Sequence, residues 1–481
     1  MLAIALAAAA CSTVSSVTNS LFSAPPAEGA PGHVSGFLGG VVADEPRAAV
    51  VAREVLSAGG TAADAAVALG FALAVTLPSR AGLGGGGGCL AYSPAADGPN
   101  KGVPEAIMFT PPAPAHAAGG DRPAAVPALA RGLFALHARY GRRPFDGLLV
   151  SAEQMARFGV PASRAFVRDL ALVSGPLFAD PAARAVFSRD GVPLAEGDRL
   201  IQPDLGSTLA QIRVAGVGDL YNGALARRLA EAAPLAGASF TVDDLRGTLP
   251  RTLPPISLPN GRDTIAFLPP PADGGLAAAG AFVVLQGDPA AYDRAGARAL
   301  ALAARWRAGG GDPKALLASN PPAARLPELP ASTTFLTLDR NGNAVACALT
   351  MNNLFGTGRT IPGTGVLLAG SPASFPPPLL ATAIAWNQPI HAFRAAVGGS
   401  GQAAAALAAA VALSNTLRTN QPMPDPVPDP GRANVIACSR YLPDSDGSCR
   451  WATDPRGAGL AIGSNCCRSR SATPPPRRRS W

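Results

Sequence analysis

The chain of 481 residues is short of the residues that build metal sites and of charge. It has four histidines, His33, His116, His137 and His391, scattered with no ligand spacing. Its seven cysteines include no CxxC pair, so metal binding has little support and no cofactor is implied. Charged residues make up 15% of the chain and the formal net charge is +8. Part of that excess sits in Arg468, Arg470 and Arg477-Arg478-Arg479 at the end, so the charge is no nucleic-acid footprint. No internal repeat is present. Long apolar runs are also scarce. About ten apolar residues open the chain and about a dozen follow Asp64, both too short to span a bilayer.

Apolar residues, many of them alanine, make up 48%, enough for a sizeable core in one large α/β unit or two lobes. The apolar start up to Cys11 fits the core of an export leader, and Ala8-Ala9-Ala10-Cys11 resembles a lipoprotein cleavage box without its usual Leu. The expectation is a leader at 1–11, a linker at 12–38, and export to the periplasm or a membrane tether through lipid on Cys11. Cys438 and Cys449, eleven apart in a polar loop, are candidates for a disulfide. Cys89 and Cys347 lie in apolar runs and read as inert core thiols. The Ser, Pro and Arg tail at 465–481 reads as disordered.

Gly82 to Gly88 looks at first like a phosphate cradle. Cys89-Leu90-Ala91 follows instead of Gly-Lys-Ser/Thr, so close backbone packing is the better reading. The carboxylate pair Asp243-Asp244 follows Thr241 at a helix start, where acids favour the helix dipole. Helices are expected over 45–58, 65–77, 126–141, 148–158, 223–233, 276–284 and 402–413. Strands are expected at 381–386 and 393–397, with Gly398-Gly399-Ser400-Gly401 turning into the last helix.

The most informative stretch is Ser332-Thr333-Thr334-Phe335-Leu336-Thr337-Leu338, then Asn341-Gly342, then Ala344 to Asn352. Two β-prone runs around Asn-Gly predict a hairpin, and a two-residue turn puts Ser332 opposite Met351, between Thr350 and Asn352. That gathers one hydroxyl and two polar side chains. No His or Lys accompanies them, so the base for such a hydroxyl would be an α-amine, with a reference pKa near 8. Ser332 gains one only if the Ala331-Ser332 peptide is cut.

This pattern, with Phe355-Gly356-Thr357-Gly358, resembles the maturation site of γ-glutamyltransferases, which belong to the N-terminal nucleophile (Ntn) hydrolases. Gly59-Gly60-Thr61-Ala62-Ala63-Asp64 with the Gly run, and Pro269-Pro270-Pro271-Ala272-Asp273-Gly274-Gly275, resemble further parts of the same family. The resemblance implies an α+β, four-layer αββα fold. It implies a large-subunit-like region at 39–331 and a small-subunit-like region at 332–464 that begins at the nucleophile. Counting back from Asp339 and Gly342 without a gap makes Ser332 the nucleophile, with Thr333 the runner-up. Thr350 and Asn352 would orient it, and Gly398 and Gly399 would supply the oxyanion-hole N–H groups. The positions that grip the glutamyl group in the family are occupied by Thr110, Ser371 and Ser374, so the charged clamp is missing. The expected partners are a small-molecule amide, γ-glutamyl or related, and the two fragments of the chain after cutting. Nucleic acid is not among them. The alternative is an uncut, inactive relative that serves as an exported binding protein.

Overall fold

A computed structural model describes residues 27 and 29–463 apart from 96–101, 117–120, 327–330, 375–377 and 425–426. The leader, Cys11, Cys466-Cys467 and the tail lie outside the described residues.

Two antiparallel sheets form the centre. The first contains β1 (Gly39–Ala43), β2 (Gly86–Tyr92), β3 (Glu105–Phe109), β4 (Arg251–Leu253), β7 (Ser332–Asp339), β8 (Ala344–Thr350) and β13 (Leu460–Gly463). Their order is β13-β1-β7-β8-β2-β3-β4. The second contains β5 (Ile256–Asn260), β6 (Asp263–Phe267), β9 (Ala381–Asn387), β10 (Ala392–Ser400), β11 (Arg432–Leu442) and β12 (Cys449–Thr453). Their order is β12-β11-β10-β9-β6-β5. Both sheets mix strands from before and after residue 331.

Strand parity builds the layers, because successive side chains face opposite sides. On β8, Val345, Cys347 and Leu349 turn outward to α1 (Pro46–Ser57), α2 (Ala62–Thr76), α3 (Leu129–Tyr140) and α4 (Phe145–Phe158). Ala344, Ala346 and Ala348 turn inward to the second sheet. The second sheet does the same with Ala395 and Val397, which face α6 (Asp273–Gly287), α7 (Tyr292–Gly309) and α8 (Ala405–Thr419). The result is the four-layer αββα sandwich of an Ntn hydrolase. α2 is buried at every position, which its nearly uniform apolar sequence requires. Thr61 and Asp64 form its capping box.

The glycine run is closely packed backbone, not a cradle, and its last three residues, Gly86 to Gly88, open β2. A Cβ at Gly86 would sit 2.2 Å from the Phe109 carbonyl oxygen, and one at Gly87 2.2 Å from that of Ala348. Asp244 caps the helix Val242–Gly247 through Thr241.

Four local expectations are corrected. The hairpin loop has three residues: Asp339 pairs with Asn343 and Gly342 takes φ +82°, so Ser332 faces Thr350, not Met351. Asp339 decides this, because its carboxylate accepts from the Asn341 and Asn343 amides and holds the wider loop. β10 continues through Gly398 and Gly399 to Ser400, and the turn starts at Gly401. The helix at 126–141 starts at Leu129, past Pro127. Cys89 and Cys347 are not free thiols; they face each other on β2 and β8 and are joined as a disulfide. Cys438 and Cys449 are joined as well.

Candidate active site

The space between the sheets is apolar at one end, with Leu336, Leu338, Trp386 and Phe393. At the other end it is polar. Parity puts Ser332 and Thr334 of β7 and Thr350 of β8 on the inner face of the first sheet. Thr382, Gly398, Ser400 and Asn434 lie on the inner face of the second. Four buried atoms here have no hydrogen-bond partner among the described residues: Ser332 Oγ, Thr382 Oγ1, Ser400 Oγ and Asn434 Oδ1. Buried polar atoms are normally satisfied, so four of them gathered at one end of the inter-sheet space leave donors and acceptors available there for water or a ligand.

Ser332 is 1% exposed and lines a cavity of about 180 Å³. The hydroxyl of its neighbour Thr333 is already committed, donating to Asp44 at 3.0 Å. Asp44 also accepts from the Thr334 amide at 3.0 Å and from Asn434 Nδ2 at 2.9 Å. The start of β7 is thereby pinned to β1 and β11. Opposite Ser332, Thr350 Oγ1 donates to the carbonyl oxygen of Ala331 at 2.8 Å and accepts from the Asn352 amide at 2.7 Å. The Asn352 side chain donates to Gly370 at 2.9 Å. Thr350 thus polarises the peptide that precedes Ser332, and Asn352 holds Thr350.

Gly398 packs on Thr334, where a Cβ would come within 2.7 Å of the Thr334 Cβ. Gly399 turns the other way, onto the Ala405 carbonyl of α8. Both have ladder partners on two sides, and successive strand amides point to opposite neighbours. The residues that follow them, Ser400, Gly401 and Gln402, line the cavity. Thr110 lies elsewhere, in a larger cavity of about 550 Å³ with Asp243, Asp244 and Arg251. Ser371 is buried and its Oγ accepts from the Ala373 amide, while Ser374 is exposed; neither lines the Ser332 cavity.

Asp44, Arg80, Asp169 and Asn434 also belong to the site, although no sequence motif marks them. Arg80 Nη1 lies 3.5 Å from the Ser332 carbonyl oxygen. Both oxygens of Asp169 hold the Arg80 guanidinium, at 2.6 and 2.7 Å, and Ser79 Oγ adds a bond to Asp169 at 2.6 Å. Burial pulls the Arg80 pKa down, but the charges of Asp169 and Asp44 and the bonds to Asp169 outweigh it, so the pKa stands above its ordinary value. The only signal for Arg80 was its position just before the glycine run.

Fold and site together define an Ntn hydrolase architecture. A model of the gamma-glutamyltranspeptidase family matches residues 48–301, and the chain belongs to that family. It is 26% identical over 390 residues to the glutathione hydrolase proenzyme of Escherichia coli K12, covering 69% of this chain and 65% of the relative. It is 32% identical over 256 residues to the proenzyme of the same name from Bacillus subtilis 168, covering 50% and 43%. The chain thus spans less than two thirds of either relative. The solved structure of a cephalosporin acylase from Bacillus halodurans superposes with a TM-score of 0.71 at 18% identity, covering 92% of this chain and 98% of that one.

Proposed function

We propose that this protein is an Ntn amidohydrolase or acyltransferase that cuts itself between Ala331 and Ser332 and acts on a γ-glutamyl or related amide. The observation that carries this reading is the pairing of an unpartnered, buried Ser332 hydroxyl with a Thr350 hydroxyl that donates to the Ala331 carbonyl. In maturation, Ser332 Oγ attacks the Ala331 carbonyl carbon, and the oxygen that gains charge is the one Thr350 holds. The C–N bond breaks as the Ser332 nitrogen takes up the hydroxyl proton and becomes the free α-amine, leaving Ala331 as an ester on Ser332 Oγ; water then hydrolyses that ester, releasing the first fragment as a carboxylate and restoring the hydroxyl. In turnover, that amine takes the proton from Ser332 Oγ as it attacks the substrate amide. The acyl group then passes to water or an amine. Thr350 and Asn352 orient the nucleophile. The N–H groups of Gly398 and Gly399 are the proposed oxyanion donors.

Mass spectrometry of the purified chain tests this. The expected result is a fragment beginning at Ser332, absent in Ser332→Ala. Only full-length chain after long incubation supports the second reading, an uncut binding protein, which the uncharged Thr110, Ser371 and Ser374 favour. Export, with or without lipid on Cys11, is proposed from the leader pattern.

A further inference from the structure

One inference rests on the reading of Ser332 as the residue that takes the acyl group. Three arginines, Arg80, Arg168 and Arg432, and two carboxylates, Asp44 and Asp169, line its cavity. Both carboxylates are committed to protein donors: Asp169 to Ser79 and Arg80, Asp44 to Thr333, Thr334 and Asn434. The cations are committed unequally. Arg80 is held by Asp169, and Arg432 meets Asp429. Arg168 is exposed, and its Nη1 donates to the Arg456 carbonyl at 3.2 Å. Among the described residues no carboxylate pairs with it. It projects from α5 (Arg164–Leu177), where Ala165, Arg168, Asp169 and Leu172 share one helical face along the cavity. We propose that this cavity selects an acyl donor bearing an anionic group, gripped by Arg168 and backed by Arg80. The charge absent at Thr110 is then supplied from α5 instead.

The test compares chromogenic p-nitroanilides of glutaric and pentanoic acid, equal in chain length and different in one carboxylate. The expected kcat/KM preference for the glutaryl amide is roughly 10- to 100-fold, the range of a charge-assisted hydrogen bond. Arg168→Ala removes the preference and Arg168→Lys keeps part of it. Equal rates on both amides, or a preference that survives Arg168→Ala, overturn the proposal while leaving self-cleavage intact. If the chain never cuts, glutarate is titrated calorimetrically into it. Binding weakened at least tenfold by Arg168→Ala supports the anion site, and no binding overturns it.

A different observation carries a second inference. Cys89 precedes the proposed cut and Cys347 follows it, and they are joined across β2 and β8 with neither exposed. We infer that the two fragments of the mature protein stay covalently tethered through this bond. Cys438–Cys449 lies wholly within the second fragment and adds no tether. Forming the bond takes one proton and one electron from each thiol, passed to a disulfide carrier by exchange. Under non-reducing denaturing electrophoresis, cut protein should run as one species near 48.2 kDa and split in two only with reductant. Cys347→Ser should split without it. Two bands from wild type without reductant overturn the inference. In uncut Ser332→Ala, a non-reducing digest should contain linked peptides bearing residues 89 and 347, and their absence is equally fatal whether or not wild type cuts.

Discussion

Replacing Thr350 by Val keeps the shape of the side chain and removes its hydroxyl. Two bonds go with it: the donation to the Ala331 carbonyl at 2.8 Å and the acceptance from the Asn352 amide at 2.7 Å. If the first bond only holds the resting chain together, equally strong before and during the reaction, its loss costs about 0.5–1.5 kcal/mol of stability and leaves the rate of self-cleavage unchanged. If it strengthens as the Ala331 oxygen gains charge, the loss is about 2.7–4 kcal/mol and the slowing roughly 100- to 1000-fold. The proposed chemistry requires the larger figure. The second bond is a stability matter, since a buried amide left without a partner costs about 1–3 kcal/mol. Thr350→Ser separates the two effects, because it retains the hydroxyl at the cost of one methyl. The assay is accumulation of the fragment beginning at Ser332, followed by intact mass over time, alongside calorimetric melting. Thr350→Ser should cut within about tenfold of wild type. A Thr350→Val protein that folds and cuts at the wild-type rate refutes the role given to this hydroxyl.

Three other outcomes are expected. Ser332→Ala should abolish the cut, whereas Thr333→Ala should still cut, because the Thr333 hydroxyl is engaged with Asp44; N-terminal sequencing of the fragments decides between them. Gly398→Ala should lower stability by about 1–3 kcal/mol in a denaturant titration and impair cutting, since the new methyl would meet Thr334 within 2.7 Å and press on the strand that carries Ser332. Burial raises the Glu45 carboxyl above its ordinary value, the Ala48 amide bond only partly opposing it. Such a group contributes fully below its unfolded-state pKa and loses that contribution as pH rises from there through the folded-state pKa. Wild type should therefore lose melting temperature relative to Glu45→Gln between pH 5 and pH 8; a gap that stays constant, or closes, contradicts the assignment.

Much of the fold could be read along the chain because its signals are local. Thr61 to Asp64 caps a helix that is apolar all round, and such a helix can only be buried. Asn341-Gly342 between β-prone runs can hardly be other than a hairpin. The motif order carried the family, and with it the four layers. The errors were also local in origin. The hairpin came out one residue wide because the Asp339 carboxylate competes for the turn amides, and the strand at 392–400 ran on because its glycines are flanked by two other strands.

The sequence by itself determined that Ser332 and Thr333 open a strand and that its hairpin partner ends in Thr350 and Asn352; the loop width, and with it the pairing of Ser332 with Thr350 instead of Met351, it did not determine. Tertiary structure alone decided what surrounds the Ser332 hydroxyl. Asp44, Arg80, Asp169, Gly398 and Asn434 come from segments up to 390 positions apart in the chain, as in the Asp44–Asn434 bond. No spacing rule joins them. They meet because the alternating faces of two sheets close on each other, which sets Thr334 of one against Gly398 of the other. The same closure paired Cys89 with Cys347, since only strand register shows that two apolar runs 258 residues apart lie side by side.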